Sequence, residues 1–194
     1  MGGSQDRLTL ASTSPQRRAI LEQLRIPFEV VAPDYVEDDP PDADSEELVR
    51  RHAAGKARSV LEPGRLVLGV DTTVVLDGRV FAKAAGRDAA RHMLGAFSGR
   101  THTVVSGVCI LGPGVEVVEI ERTDVTFRPL GSELVETYLQ SGEWEGRAGA
   151  YAIQGFGGRL VERIDGDYLN VVGLPGALLV SLLERHAPHL LAAR

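Results

Sequence analysis

Residues 66–81 read LVLGVDTTVVLDGRVF. Leu66 to Val70 is an apolar run bounded by polar residues, the pattern of a buried strand. Asp71 follows it. Then comes TVVL, the pair Asp77-Gly78, and RVF. Asp-Gly between two β-rich runs is a strong short-range hairpin signal, because both residues tolerate the positive φ that a tight turn demands. A hairpin beside a buried strand matters because the rest of the chain alternates strands with helices. Alternation alone would indicate a parallel sheet. The hairpin makes it an α/β fold with a mixed, partly antiparallel sheet.

The neighbouring segments agree. Leu8 to Ala11 reads as a buried strand. Ser14 and Pro15 open a helix as cap and first residue, with Ile20, Leu21 and Leu24 on its apolar face. FEVV (28–31) is a second strand. PDYVEDDPPDAD (33–44) is an acidic, proline-rich loop. Asp44 with Glu47 resembles a capping box, opening a helix from Ser45 to Leu61. Asp88 to Phe97 is helical. THTVVSGVCIL (101–111) and VEVVEIERTDVTF (115–127) form an antiparallel pair around Gly-Pro-Gly. Glu133 to Leu139 is helical, LVERI (160–164) and YLNVV (168–172) read as short strands, and GALLVSLLERH (176–186) is a final amphipathic helix.

Composition bounds the function. A chain of 194 residues suits one large domain or two small lobes sharing one core. The net charge of -6 argues against wrapping a nucleic-acid backbone, though not against a local basic pocket for a small anion. No apolar run reaches the ~20 residues that span a bilayer, so no membrane partner is expected. MGGSQDR (1–7) reads as a flexible leader, with a single domain over 8–194. Cys109 is the only cysteine, which excludes an internal disulfide and indicates a buried thiol in a reducing cytoplasm.

Several residues could carry chemistry. Ser12 and Ser14 precede a helix N-terminus, whose unpaired N–H groups and partial positive charge suit an anion. Arg17 and Arg18 in its first turn repel each other unless something negative, such as a phosphate chain, lies near; two solvated arginines are the alternative. Asp71 at the end of its strand could hold a divalent metal, act as a general base, or be a turn residue. Lys56, in HAAGKARS, lies among small residues that would let a ligand approach, and Lys83, in VFAKAAG, is flanked likewise; either could be a solvated charge. Glu37 is a second candidate carboxylate or part of a solvated acidic run. Gln154, in the glycine-rich GRAGAYAIQGFGGRL (146–160), offers both a donor and an acceptor, as a nucleobase edge does. The five histidines show no metal-binding spacing, and there is neither a P-loop nor a nucleophile elbow.

Taken together and in order, STSPQRR (12–18), GVDTT (69–73), SGRTHTV (98–104), AGAYAIQG (148–155) and IDGDYLNVVGLP (164–175) resemble the Maf family of nucleoside triphosphate pyrophosphatases. The resemblance runs from about Leu8 to Leu183. It implies an elongated fold of Maf/ITPase-like type, a twisted mixed sheet flanked by helices, with a central cleft between two lobes. It implies cleavage of a nucleoside triphosphate between the α- and β-phosphates, a magnesium or manganese ion, and a homodimer. By motif, Asp71 matches the catalytic aspartate, Arg18, Lys56 and Lys83 the phosphate-holding cations, and Glu37 an acidic residue near the metal. Ser12 and Ser14 fall in the substrate loop, and Thr72 and Gln154 at positions of base selection. AGAYAIQG is similar to the branch acting on dTTP and UTP. Gln16 stands where the family usually has its first arginine, which leaves Arg17 as a partner for Arg18; Ala84 replaces a proline after Lys83, and Arg147 stands where lysine is common. Two other functions are carried as alternatives: a nucleotide-binding regulator of cell division, and an inosine/xanthosine triphosphate pyrophosphatase.

Overall fold

A computed structural model of the chain describes residues 7–40 and 43–192. Apart from Arg7, the expected leader lies outside the described residues. Among these, seven strands form one mixed sheet: β1 (Leu8–Ala11), β2 (Phe28–Val31), β3 (Val67–Leu76), β4 (Arg79–Phe81), β5 (Thr101–Gly112), β6 (Val115–Phe127) and β7 (Val161–Asp165). Their order is β2-β1-β3-β5-β6-β7, with β4 on β3. β1 runs parallel to β2 and β3, whereas β4 is antiparallel to β3 and β7 to β6. Only Pro113 and Gly114 separate β5 from β6, its neighbour, a link short enough for antiparallel strands alone. Among the described residues, six α-helices accompany the sheet: α1 (Pro15–Gln23), α2 (Ser45–Ser59), α3 (Arg87–Phe97), α4 (Ser132–Ser141), α5 (Tyr168–Val172) and α6 (Gly176–His186). No helix among the described residues is long and apolar enough to cross a membrane.

The chain divides into two compact units, residues 1–71, 106–121 and 173–194 in the first, and 72–105 and 122–172 in the second. In the first, Ser14 caps α1 and Asp44 caps α2, its Oδ1 accepting from the backbone of Glu46 and Glu47 at 3.0 Å. α2 presses close to β3. A Cβ on Gly69 would lie 2.1 Å from the Ala53 carbonyl oxygen, so only glycine admits the helix backbone there. Ala53, Ala57, Val67, Cys109 and Leu111 share the resulting core. Ala53 and Ala57, among the small residues of α2, make room for the strand. Burial pushes the Cys109 thiol up to about 11.

The second unit is built on aromatic packing, with Phe97, Phe127, Tyr138 and Tyr151 in one core. Its β3–β4 hairpin turns at Asp77 and Gly78, both with positive φ (51° and 75°), as the Asp-Gly pair predicts.

The structure departs from the sequence-based expectations at three places. β3 continues through Thr72, Thr73, Val74 and Val75, four β-branched residues that favour extended backbone, so Asp71 sits in mid-strand instead of at a strand end. Tyr168–Val172 is a short helix, not a strand. Its composition favours a strand, but the Asp167 carboxylate accepts from the backbone of Leu169 at 2.7 Å, and the buried Asn170 amide donates to the Val104 carbonyl and to Thr123 Oγ1. Together this local cap and these long-range bonds prevail over β-propensity. Finally, α2 ends at Ser59, whose hydroxyl donates to the Lys56 carbonyl, two residues short of Leu61.

Candidate active site

The first unit gathers most of the candidate residues. Lys56 projects from α2, Asp71 from β3, and Glu37 from the acidic loop. The Lys56 ammonium lies 2.5 Å from Asp71 Oδ1 and 2.6 Å from Glu37 Oε1. Stripping an ammonium of water costs several kcal/mol, and its attraction to two carboxylates offsets that cost. Lys56 and Asp71 are buried, whereas the Glu37 side chain is 44% exposed. Glu37 therefore owes its place to what its loop is tied to.

Arg17 faces this cluster. Its Nε donates to the Gly173 carbonyl at 2.9 Å, and Nη1 to Ser12 Oγ at 3.2 Å. Burial pulls its pKa down, while the negative charges of Asp71 and Glu37 push it back up. The helix start fixes this geometry. Ser12 Oγ also accepts from the Ser14 backbone, and Ser14 Oγ accepts from the Arg17 backbone while donating to Gln16 Oε1. Arg18, about 100° further round the helix, is exposed. The adjacent arginines thus part company: one turns toward two carboxylates, the other toward solvent.

The remaining candidates belong to the second unit. Thr72 is half-buried. Lys83 is exposed, its backbone bridging antiparallel to Ala148. Gln154 is exposed just ahead of a 3₁₀ turn, Gly155–Leu160. Glu143 steadies that turn by accepting from the backbone of Phe156 and Gly157, each at 3.1 Å.

Among the described residues, no group of three or more His, Cys, Asp or Glu could hold a metal ion. Two carboxylates on one cation position are nevertheless a donor set that suits magnesium, which takes one or two protein carboxylates and completes its octahedron with water and phosphate oxygens. Formally, Lys56 and Arg17 balance Asp71 and Glu37. A divalent ion would leave the cluster with net positive charge for an anionic ligand.

Similarity to known proteins extends over most of the chain. A family profile described as Maf-like protein covers residues 7–186. This chain belongs to the Maf family. Relatives within it include a dTTP/UTP pyrophosphatase of Symbiobacterium thermophilum, 48% identical, with 92% of this chain and 93% of that protein aligned. Proteins of the same name from Pyrococcus horikoshii and Deinococcus radiodurans are 43% and 44% identical, covering 91% and 92% of this chain and 95% and 92% of theirs. A solved structure titled as the Staphylococcus aureus Ham1 protein aligns with a TM-score of 0.43 at 14% identity, over 62% of this chain and 71% of that one, too little to bear on fold or function.

Family motifs point to Arg18, Lys56, Asp71 and Glu37, but not to His52. That histidine is buried on α2, one turn before Lys56, with both ring nitrogens bonded to the acidic loop. The i, i+4 spacing of His52 and Lys56 was the signal available in the sequence.

Proposed function

We propose that this Maf-family chain hydrolyses nucleoside triphosphates between the α- and β-phosphates, with dTTP and UTP as substrates. The name borne by its relatives supports the substrate class. The observation that carries the chemistry is the Lys56 ammonium held between Asp71 and Glu37, with the Arg17 guanidinium facing the same carboxylates.

In this reading a water attacks the α-phosphorus, the bond to the bridging β-phosphoryl oxygen breaks, and pyrophosphate leaves. Asp71 orients that water and takes its proton. Lys56 and Arg17 neutralise charge on the phosphates, so that positioning and electrostatics supply most of the acceleration. Asp71 and Glu37 would hold a magnesium or manganese ion, whose contribution when bound is to polarise phosphate oxygens. For Lys83, Thr72 and Gln154 the support is family resemblance: phosphate binding for the lysine, base selection for the other two. Uracil and thymine present an N–H flanked by two carbonyls, which a glutamine amide answers with paired hydrogen bonds. We also propose a homodimer, to be tested by sedimentation, and a cytoplasmic location, in keeping with a lone buried thiol.

A substrate panel tests the reading. Incubated with magnesium and UTP, dTTP, CTP, ATP, GTP or ITP, the protein should release pyrophosphate fastest from UTP and dTTP. Release from none would overturn the enzyme reading in favour of a binding protein. A preference for ITP would overturn the pyrimidine assignment.

A further inference from the structure

Residues 32–40, APDYVEDDP, carry no helix or strand. The segment nonetheless behaves like an extended strand facing α2, because every second side chain reaches that helix. The Tyr35 hydroxyl bonds His52 Nδ1 at 2.9 Å, Glu37 bonds Lys56, and Asp39 Oδ1 accepts from His52 Nε2 at 2.6 Å. His52 and Lys56 are one turn apart on one face of α2. The imidazole therefore grips the loop two residues before Glu37 and two residues after it.

The grip is specific. The His52 ring is 1% exposed and meets the Tyr35 ring edge-on, with centroids 5.6 Å apart. An ionised Asp39 can only accept, so Nε2 carries a hydrogen; the Tyr35 hydroxyl can serve Nδ1 as donor or acceptor. The helix is shaped to receive the tyrosine. A Cβ on Gly55 would lie 2.2 Å from Tyr35 Cε2, so only glycine at that position admits the ring. The Arg51 guanidinium adds a bond to the Asp38 carbonyl. Both partners of His52 come from the loop and neither from the core, which is unusual for a buried histidine that only fills space.

We propose that His52 is a positioning residue, which clamps the loop so that Glu37 is presented to Lys56 and Asp71. Its kinetic consequence rests on the pyrophosphatase reading; the clamp itself does not. Outer partners that orient ligating carboxylates or histidines typically contribute about 10–100-fold to metal affinity or activity when tested by mutation.

Two measurements separate these parts. A spin label on Val36→Cys, a position 87% exposed between two anchors, placed in a Cys109→Ser background, reports loop motion by electron paramagnetic resonance without any substrate. His52→Ala should convert an immobilised spectrum to a mobile one. In unlabelled protein, His52→Ala should lower kcat/KM for UTP by about 10–100-fold, and should lower it little further in a Glu37→Gln background, because the two act through one carboxylate. A label equally immobile with and without His52 would overturn the clamp, whether or not the chain hydrolyses UTP. Losses that multiply in the double variant would overturn the link to Glu37. An inactive parent with a mobilised His52→Ala label would fault the pyrophosphatase reading and leave the clamp standing. Should His52→Ala fail to fold, Tyr35→Phe and Asp39→Ala each remove one anchor. Each should give intermediate label mobility, and no change in either would overturn the proposal.

Discussion

His52 and His102 are both 1% exposed, one in each unit, yet they are buried in opposite ways. His52 has a polar partner on each nitrogen. His102 is caged by rings: Phe97 at 4.4 Å, Phe127 at 4.9 Å and Tyr151 at 5.3 Å between centroids. Its Nε2 bonds the Tyr151 hydroxyl at 2.9 Å, while the buried Nδ1 has no hydrogen-bond partner. Burial, opposed by the charge of Asp124, pushes its pKa down to about 4. The contrast separates two uses of burial. Around α2, charged groups are desolvated in matched sets, which keeps them strong and oriented. In the aromatic core, desolvation keeps a titratable group neutral. The first arrangement should govern turnover and the second stability.

The largest expected effect breaks the charged set. Asp71→Asn should lower kcat for UTP by about 10²–10³-fold, the usual consequence of removing one preorganised group. The melting temperature should stay within a few degrees, because the replacing amide still accepts from Lys56 and Glu37 still neutralises that ammonium. Near-parental turnover under magnesium would remove Asp71 from the chemistry. Collapse of the fold would show that the charged set is structural, like the aromatic one.

The next effect belongs to His102. Free histidine titrates near 6.5, and His102 in the folded chain near 4. Between those values the unfolded chain binds a proton that the folded chain refuses. The histidine's contribution is therefore complete above about pH 6.5 and declines as pH falls toward 4. Integrated over that window the loss is about 3 kcal/mol. Urea midpoints from pH 7 down to pH 4 should reveal it, and His102→Phe, which keeps the ring stack, should flatten that part of the profile. An unchanged profile in the variant would mean that the cage does not hold His102 neutral.

These two clusters also show what the sequence made legible. The hairpin at Asp77-Gly78, the Ser14-Pro15 helix start and the long β5–β6 pair were legible because their signals are local. The family resemblance pointed to Lys56, Asp71 and Glu37 as site candidates, but not to their shared ion pairing, since residues 37, 56 and 71 meet only through the packing of α2 on β3. Asp71 was expected at a strand end because the apolar run Leu66–Val70 stops before it; the partner that lets a carboxylate stay buried in mid-strand, Lys56, is 15 residues away. The choice between Arg17 and Arg18 was equally hidden: neighbours on a helix have the same local signal, and only Ser12, Gly173 and the two carboxylates distinguish them. The Tyr168–Val172 helix depends on Thr123 and Val104, far upstream.

The smallest expected effect concerns charges that neither cluster uses. Arg91, on α3, bonds Glu136 of α4 and Asp88, and Arg87 bonds the same glutamate. These pairs hold Glu136 down to about 2, but they lie in water, where screening and side-chain entropy cancel most of the attraction. Arg91→Ala should leave both the urea midpoint and kcat for UTP at parental values, and raising the salt concentration should erase any residual shift. A large destabilisation in this variant would contradict the contrast drawn above, since it would make an exposed network matter as much as a desolvated one.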